Sequence, residues 1–516
     1  GIVVAVATSP EALASKQRDK PPPFVLEKRE PMNFEPRVWD PQASAATTPD
    51  SRPQPEMGWL RRVAIANDYV RIPYANGSSF ASQFLFRALE SRGHEVTIVG
   101  PAERQSETTQ VGAMPPRYLC LASVPLRTHP GVNLALPSRS RLLALRDGQF
   151  DMVLAQTCSA LLKAGVWLRQ ERGVPLVAVN TVHLPSVYNV VLPDWLNERA
   201  WVHDFFQESV VPWVERATAH TYNRGDGLVV LSYGLKRYWE QRGVEVPIHV
   251  IPRAIEKRIF DHHSGGDPFD ARATRGARLL VVCRHVREKN IEQLLDILAR
   301  EVVPAHRDAT LTLVGDGPDH DAFRRYADSL GLAGRVFFEG ERPLAEMPRW
   351  YAHADMFVYT SLSETYGQVV GEALYAGLPV VALADQMGVS GQVGDGIDEC
   401  LVSPSRDPRD AASEFANRVL QLLGDGDLRA RMGERAHQNA ARRSDPNECI
   451  ARYYDAFEAA RRHRDATHRK GLRTRLASVG TLASWGSLHG ASYALGLLRP
   501  PVQLNRAKAQ TPAWDL

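Results

Sequence analysis

Two glutamates eight residues apart lie where the sequence pattern changes from a strand to a helix. Glu364 falls in the polar loop after the apolar residues Val358-Tyr359, and Glu372 falls inside the helix predicted for Gln368 to Ala376. A helix start favours an anion, because its first N–H groups are free and the helix dipole is positive there. Gly367, just before the helix, lets a ligand approach the backbone closely. A phosphate at the helix start, with carboxylates for hydroxyl groups on either side, would suit a nucleotide-sugar.

Two basic residues earlier in the chain could complete such a site. Arg284 follows the strand predicted for Leu279 to Cys283, and Lys289 precedes the helix that begins at Ile291. Cationic groups on two sides of a crevice can neutralise a diphosphate. Basic loop residues are also common at surfaces, and glutamates in a strand–loop–helix turn can simply be solvated or cap the helix. These residues alone leave a binding site and an ordinary surface loop both open.

The first half of the chain offers two residues that could face this site. Gly77 stands at the start of the helix predicted for Ser79 to Arg92, and His183 follows the strand predicted for Leu176 to Val179. Open α/β sheets bind ligands just beyond the carboxyl ends of their strands, which is where His183 would lie. A turn glycine and a structural histidine are the alternative explanations.

Composition indicates an ordinary globular protein with more than one domain. The chain has 516 residues, 44% hydrophobic and 23% charged, and a formal net charge of +3, which is too small to indicate a nucleic-acid partner. Its five cysteines are scattered, with no Cys-x-x-Cys pair, which favours a reducing compartment and argues against a zinc site. No apolar run is long enough for a convincing transmembrane helix. We therefore expect a cytoplasmic protein.

Two short patterns could indicate a metal ion, and each has a simpler explanation. The side chains of the neighbours His262 and His263 should point apart, and no other ligand is near in sequence, so a loop is favoured. Asp425-Gly426-Asp427 matches the Asp-x-Asp motif of metal-dependent sugar transferases, but it lies between two predicted helices. There Asp427 is expected to cap the second helix. We predict no metal site and no cofactor.

The sequence pattern divides the chain into six parts. Strands alternate with helices in two series, which predicts an α/β protein with two Rossmann-like, doubly wound domains facing across a cleft. A Pro-rich segment without periodicity precedes them and is expected to be disordered. The parts are the leader at 1–57, the first domain at 58–252, a linker at 253–277, the second domain at 278–445, a last helix at 446–464 and a basic–apolar tail at 465–516.

Several segments resemble successive landmarks of the family 4 retaining glycosyltransferases, which have the GT-B fold. Val229 to Ser232, Ile251-Pro252 and Phe260 resemble the family's approach to its linker. The resemblance covers residues 62 to 464 and leaves the leader and the tail unexplained. The landmarks in the second domain are Arg284 to Asn290 (RHVREKN), Leu313 to Pro318 (LVGDGP), Val336 to Gly340 (VFFEG) and Glu364 to Glu372.

The resemblance implies a role for each candidate residue. The first domain would bind the acceptor and the second the nucleotide-sugar, and the helix from Asn447 to Arg464 would cross back to the first domain. Two departures stand out: Arg253-Ala254 replaces the usual Asn-Gly after the linker strand, and Asn76-Gly77 replaces the usual paired glycines. By this resemblance Glu364 and His183 would contact the transferred sugar, and Glu372 would bind the ribose hydroxyls. The diphosphate would be bound by Arg284, Lys289 and Gly77. Backbone N–H groups or other contacts to the donor would come from Gly367, Gln368 and Val369.

The resemblance implies a retaining glycosyltransferase that moves a hexose from a nucleotide-sugar to a hydroxyl acceptor. Arg284, Lys289 and a helix start could stabilise the leaving diphosphate in place of a metal ion. The sequence has no obvious carboxylate pair like that of retaining hydrolases. UDP-sugars are the commonest donors of the family, so UDP-glucose is favoured, and a GDP-mannose-dependent mannosyltransferase is the next alternative.

Two stretches bear on the acceptor, which we expect to be a lipid or a glycan. The helix predicted for Asp194 to Tyr222 is rich in aromatic residues, and the tail is basic from His468 to Arg475 and then apolar to Leu498. Such segments can lie at a membrane surface as a peripheral contact. The aromatic residues could instead fill the first domain's core, and the tail could be a subunit contact or a disordered end; the oligomeric state is open.

Two other classes of function are compatible with the same fold. One is an enzyme that transfers nothing to an acceptor, such as a nucleotide-sugar epimerase or a phosphorylase. The other is a non-catalytic scaffold that uses the leader and the tail to bind partners. The combination of Glu364 and Glu372 with Arg284 and Lys289 favours a transferase.

Overall fold

A computed structural model describes thirteen stretches of the chain. The predicted leader at 1–57 lies outside them except for Met57, and His183 also lies outside them. The described residues are 57–70, 77–102, 115–125, 133–158, 160–181, 205–262, 265–270, 276–361, 364–385, 387–393, 401–403, 408–469 and 471–497.

Strands in the described residues form two parallel sheets and one short antiparallel pair, β4–β5. Both parallel sheets are covered by helices, so their central strands are almost continuously apolar and buried, as in MVLA of β6 and MFVY of β13. The strands are β1 Arg62–Ala66, β2 Glu95–Pro101, β3 Tyr118–Leu121, β4 Ser123–Pro125, β5 Asn133–Ala135, β6 Met152–Ala155, β7 Leu176–Val179, β8 Gly227–Val230, β9 Ile248–Val250, β10 Arg278–Val282, β11 Thr310–Val314, β12 Val336–Gly340, β13 Met356–Tyr359, β14 Val380–Leu383 and β15 Leu401–Val402.

The α-helices follow the strands in the alternation that the sequence predicts. Tight turns of 3₁₀-helix, Arg287–Lys289 and Leu344–Glu346, and π-helical turns, Phe206–Val210 and Leu298–Val302, interrupt or extend them. The helices are α1 Gly77–Glu90, α2 Arg139–Asp147, α3 Ala160–Arg172, α4 Val211–Tyr222, α5 Tyr233–Gln241, α6 Lys257–Phe260, α7 Ile291–Ile297, α8 Val303–Ala305, α9 His320–Ser329, α10 Met347–His353, α11 Gln368–Tyr375, α12 Ser390–Val393, α13 Pro408–Gly424, α14 Gly426–Arg443, α15 Pro446–Thr467 and α16 Leu472–Leu497.

Strand order places a binding crevice in each sheet. The first sheet has the order β3-β2-β1-β6-β7-β8-β9 and the second the order β12-β11-β10-β13-β14-β15. In each, the winding direction reverses beside the first strand, so a crevice opens between β1 and β6 and between β10 and β13 at their carboxyl ends. The predicted pair of doubly wound Rossmann-like domains is confirmed.

The chain passes between the two domains twice, and the two crossings lie side by side. The N–H of Ile255 donates to the carbonyl of Ser444 at 3.1 Å, and Lys257 pairs with Asp445 at 2.7 Å. Asp445 also caps α15, since its carboxylate accepts from the N–H groups of Asn447 and Glu448. Beyond this cap, α15 packs against the first sheet through residues such as Ile450 and Phe457. The crossings therefore fix the hinge region of the molecule.

The tail continues as α16, which packs along α3 of the first domain. Trp485 anchors it, because the indole is fully buried and its N–H donates to the carbonyl of Ala135 at 3.0 Å. Thr481 adds a hydrogen bond to Gln170 at 2.9 Å. Among the described helices none is both long and apolar enough to cross a bilayer.

One predicted cap is wrong. Asp425, rather than Asp427, caps α14, and its carboxylate accepts from the N–H of Leu428 at 2.8 Å. The helix begins at Gly426, so Asp427 lies within its first turn, where a carboxylate favours the helix dipole instead. The Asp-x-Asp pattern is thus accounted for by the helix start.

Replacing Trp485 by Ala should destabilise the first domain by about 3–5 kcal/mol, because it opens a cavity and removes the hydrogen bond that docks α16. Leu476→Ala is the matched control in the same helix, since Leu476 is 63% exposed and should change stability little. Chemical denaturation of both variants checks this. Equal stability of the two variants would contradict the docking of α16.

Candidate active site

The predicted site residues of the second domain gather at the crevice between β10 and β13. Arg284 and Lys289 follow β10, and Glu364 and Gly367 follow β13. The two loops meet because the strands are neighbours and parallel, so their carboxyl ends share one edge of the sheet. Sequence spacing alone could not show this contact, since it joins residues 75 positions apart.

Lys289 and Glu364 form an ion pair, with the Lys289 ammonium on Oε1 of the carboxylate. The Tyr359 hydroxyl donates to the same oxygen at 2.7 Å and the Ser361 hydroxyl at 2.9 Å. Both charged side chains are mostly shielded, at 17% and 13% exposed. Oε2 of Glu364 accepts no hydrogen bond from the residues described. One carboxylate oxygen is therefore held by the protein while the other is left for a ligand.

The carboxylate of Glu364 stays ionised despite its burial. Desolvation acts to raise its pKa, but the Lys289 ammonium and the hydrogen bonds from Lys289, Tyr359 and Ser361 outweigh it and lower the pKa. Glu364 can therefore accept hydrogen bonds at neutral pH. By contrast, burial raises the pKa of the nearby Cys283 thiol to about 12, which leaves it an inert neutral group.

Backbone N–H groups line the start of α11. Gly367 adopts a left-handed conformation with φ of 74°, which a side chain would strain. The N–H groups of Val370 and Gly371 donate to the Gly367 carbonyl. In the described part of the chain, those of Gln368 and Val369 have no acceptor. They are the donors that an anion at a helix start would use.

Glu372 lies one turn into α11 and is almost fully buried. The Tyr351 hydroxyl donates to its Oε2 at 2.9 Å. Burial raises the pKa of Glu372 to about 7, only partly offset by hydrogen bonds from Tyr351 and Gln368 and by the charge of Arg253. Near neutral pH the protonated and ionised forms of Glu372 are therefore both populated. A ligand hydroxyl that donates a hydrogen bond to this group would favour the ionised form.

The loop that follows β14 contacts the Glu364 backbone. The carboxylate of Asp385 accepts hydrogen bonds from four successive N–H groups, Met387 to Ser390. Within this loop the Gly388 N–H donates to the Glu364 carbonyl at 3.0 Å. A Cβ on Gly388 would come within 2.6 Å of the Tyr366 backbone, so the two segments can only pack with glycine here. Neither residue was predicted, because the contact depends on tertiary packing.

The first domain closes over this crevice. The Thr365 hydroxyl donates to the carbonyl of Thr181 at 3.2 Å, and Tyr366 belongs to a hydrophobic cluster of the first domain. Gly77, the first residue of α1, faces the guanidinium of Arg253, which donates to its carbonyl. Arg284 is exposed at the end of β10. His183, predicted to reach the site from the first domain, lies outside the described residues.

One group of side chains in the described residues could hold a metal ion: His285, Asp316 and His320. The Nδ1 atoms of the two histidines are 2.9 Å apart, and Asp316 lies 3.4 Å from His320. The residues come from the ends of β10 and β11 and the start of α9, so sequence spacing gave no sign of the group. An imidazole–imidazole hydrogen bond accounts for the same distance.

Two protein-family models match the chain on either side of the linker. Residues 76–258 match glycosyltransferase family 4, and residues 269–439 match glycosyl transferases group 1. The chain belongs to the group 1 glycosyltransferases of family 4. It is therefore an enzyme, and this membership favours the transferase over the epimerase, phosphorylase and scaffold alternatives.

Relatives of this glycosyltransferase have names that state different sugars and substrates. It is 26% identical over 321 residues to the alpha-monoglucosyldiacylglycerol synthase of Streptococcus pneumoniae, covering 60% of this chain and 68% of the relative. It is 27% identical over 330 residues to a GDP-mannose-dependent alpha-mannosyltransferase of Mycobacterium tuberculosis, covering 62% of this chain and 78% of the relative. Neither similarity decides which substrate this enzyme uses.

Solved structures share its fold. HepE of Anabaena, crystallised with UDP, superposes with a TM-score of 0.58 at 19% identity, covering 77% of this chain and 100% of that one. Sucrose-phosphate synthase from Thermosynechococcus elongatus has the same TM-score and identity and covers 78% of this chain and 100% of that one. The GT-B architecture of the glycosyltransferase is thus confirmed.

Replacing Glu372 by Gln should stabilise the ligand-free protein at pH 8 but change little at pH 5. The folded state raises the pKa of Glu372 from 4.5 to about 7, so the wild type loses stability as the pH rises through that window and a neutral amide does not. Gln retains an acceptor for Tyr351. Thermal unfolding of both proteins across the pH range measures the difference. If the melting temperatures of the two proteins changed with pH in parallel, a raised pKa of Glu372 would be contradicted.

Proposed function

We propose that this glycosyltransferase moves a hexose from a nucleotide-sugar to a hydroxyl acceptor with retention of configuration and without a metal ion. The observation that carries the proposal is the Lys289–Glu364 pair at the switch point of the second sheet. Arg284 follows the same strand as Lys289, and α11 begins four residues after Glu364. Together they offer positive groups for a diphosphate and a carboxylate oxygen for a sugar hydroxyl.

Breaking the sugar–phosphate bond creates negative charge on the diphosphate. In this proposal the charge is bound by Arg284, Lys289 and the free N–H groups of Gln368 and Val369. Preorganised donors of this kind stabilise a transition state without reorganisation. These groups could take the place of a divalent cation. Full activity in the presence of EDTA supports this part of the proposal, and activity that returns only with an added divalent metal would overturn it.

The two glutamates hold the uncharged parts of the donor. Oε2 of Glu364 is free to accept from a hydroxyl of the transferred sugar, while Oε1 is held by Lys289, Tyr359 and Ser361. Glu372 accepts from the ribose hydroxyls, which requires its ionised form. Since its pKa is about 7 without ligand, donor affinity should fall below that pH.

The transfer itself is proposed to occur on one face of the sugar. The acceptor oxygen forms a bond to the anomeric carbon as the carbon–oxygen bond to the diphosphate breaks. The acceptor proton passes to an oxygen of the departing phosphate. Lys289 supports this step because it keeps the leaving group close to the sugar while charge develops on both.

UDP-glucose is the favoured donor, with GDP-mannose as the alternative. The glucosyl relative from Streptococcus pneumoniae and the HepE complex with UDP-glucose support the first. The mannosyltransferase of Mycobacterium tuberculosis supports the second. A direct comparison of both donors with one acceptor distinguishes them.

Lys289→Ala and Glu364→Gln should each lower kcat about 10²- to 10³-fold, because each removes a group that acts on the transition state. The double variant restores charge balance in the crevice, so it should fold like the wild type but stay inactive. Arg287→Ala is the matched control, since Arg287 lies in the same turn with its side chain 81% exposed. Sugar transfer and thermal unfolding are measured for these four variants and the wild type. Wild-type activity in both single variants would refute the assignment.

A lipid at a membrane surface is the proposed acceptor. The exposed face of α16 carries Leu472, Leu476 and Val479, which are 73%, 63% and 63% exposed and repeat at helical spacing. Arg473 and Arg475 are exposed beside them, and α16 contains no acidic residue. Such a face matches an anionic bilayer in both polarity and charge. Trp213 and Phe205 of the first domain are also exposed, at 58% and 55%, so these two aromatic residues do not fill its core.

Replacing Leu472, Leu476 and Val479 together by Ser should weaken binding to vesicles, because the side chains that would enter the interface become polar. Arg473→Glu with Arg475→Glu should weaken it at least tenfold, since each basic residue contributes about 1 kcal/mol near an anionic surface. Sedimentation with phosphatidylglycerol vesicles measures binding, with phosphatidylcholine vesicles as the charge control. Tyr233→Ser, an exposed residue of α5, controls for surface polarity. Unchanged binding in both α16 variants would rule out this surface.

A further inference from the structure

Arg253 is a cation in the crevice that no prediction assigned to the site. It follows the strand β9 by three residues, at the first crossing between the domains. Its guanidinium lies against Gly77 at the start of α1, and Nη1 donates to the Gly77 carbonyl. The added Cβ of an alanine at Gly77 would lie only 3.1 Å from Cζ and Nη2 of Arg253. A side chain at position 77 would therefore collide with the Arg253 guanidinium.

The charge of Arg253 is not neutralised within the described residues. No carboxylate there lies within ion-pair distance of it, and its Nε is buried without a hydrogen-bond partner. Burial lowers the pKa of Arg253, although Tyr453, Tyr366 and Glu372 are close enough to oppose that effect electrostatically. A shielded guanidinium without an anionic partner is costly, and binding of an anion removes that cost.

The position of Arg253 indicates which anion it would bind. Its guanidinium contacts Gly77, where the first domain's α1 begins, and it is close enough to Glu372, to which the ribose of the donor is assigned, for the two charges to interact. A phosphate group linked to that ribose would therefore come near Arg253. The proposed function assigns the same diphosphate to Arg284 and Lys289 of the second domain.

We propose that Arg253 binds the diphosphate of the donor from the side of the first domain, so that three cations surround the leaving group. This inference rests on the proposed function of the site. The Gly77 carbonyl orients the guanidinium through Nη1 and leaves Nη2 for a phosphate oxygen. Since the residue sits at the crossing between domains, the donor would be contacted by both domains at once.

Binding of UDP and of GDP to the wild type, Arg253→Ala, Arg253→Lys and Arg287→Ala tests the proposal by calorimetry. Arg253→Ala should lower the affinity for the nucleoside diphosphate at least about tenfold, because a charge-assisted hydrogen bond is lost. Arg253→Lys should recover part of the affinity, and the exposed control Arg287→Ala should retain it. Thermal unfolding without ligand should show Arg253→Ala to be as stable as the wild type or more so.

The outcomes separate this inference from the function it rests on. If the wild type binds UDP or GDP and Arg253→Ala binds it equally well, Arg253 is not a diphosphate ligand, whatever the enzyme transfers. If Arg253→Ala loses stability without ligand but keeps its affinity, Arg253 serves only to hold α1 to the linker, and the proposal is overturned. If the wild type binds neither nucleotide, the proposed function fails together with the inference. Arg253→Lys covers the case in which the alanine variant does not fold.

Discussion

The ion pair between Lys289 and Glu364 is the interaction on which the proposed active site depends. It ties the loop after β10 to the loop after β13 across the switch point of the second sheet, in a place where both charges are mostly shielded from water. A shielded charge is tolerated when its partner and additional hydrogen bonds are present, which is why Tyr359 and Ser361 donate to the same carboxylate oxygen. One carboxylate oxygen of Glu364 is thus engaged by three donors, and the second is the one that the proposal assigns to the transferred sugar.

The surrounding loops and the first domain fix the positions of these two side chains. Asp385 organises the next loop through four backbone hydrogen bonds, and Gly388 allows that loop to pack directly under Tyr366 and Glu364. The first domain is held over the crevice by the paired crossings at Lys257 and Asp445 and by the packing of α15 on its sheet. These contacts join the first domain to the second, which carries the proposed donor site.

Local pattern predicted the fold well because apolar strands and amphipathic helices alternate along most of both halves of the chain. It also placed Glu364, Arg284 and Lys289 on loops and Glu372 inside a helix, as the structure has them, at one edge of the sheet where the carboxyl ends of parallel strands lie. What it could not supply were contacts between distant segments. The partnership of Arg253 with Gly77, the metal-like cluster of His285, Asp316 and His320, and the burial of Trp485 against Ala135 all join residues from separate elements. The cap at Asp425 was misassigned because two aspartates stand within two positions of the helix start, and only the backbone shows which one precedes it.

The central claim is that this crevice binds a nucleotide-sugar through protein cations. It is tested most directly by thermal unfolding of the wild type in EDTA with UDP-glucose, GDP-mannose or ADP-glucose. The account predicts that one of these donors raises the melting temperature by several degrees, since a ligand at a hundred times its Kd contributes about 2.7 kcal/mol to the stability of the native state. An unchanged melting temperature with all three donors would contradict it.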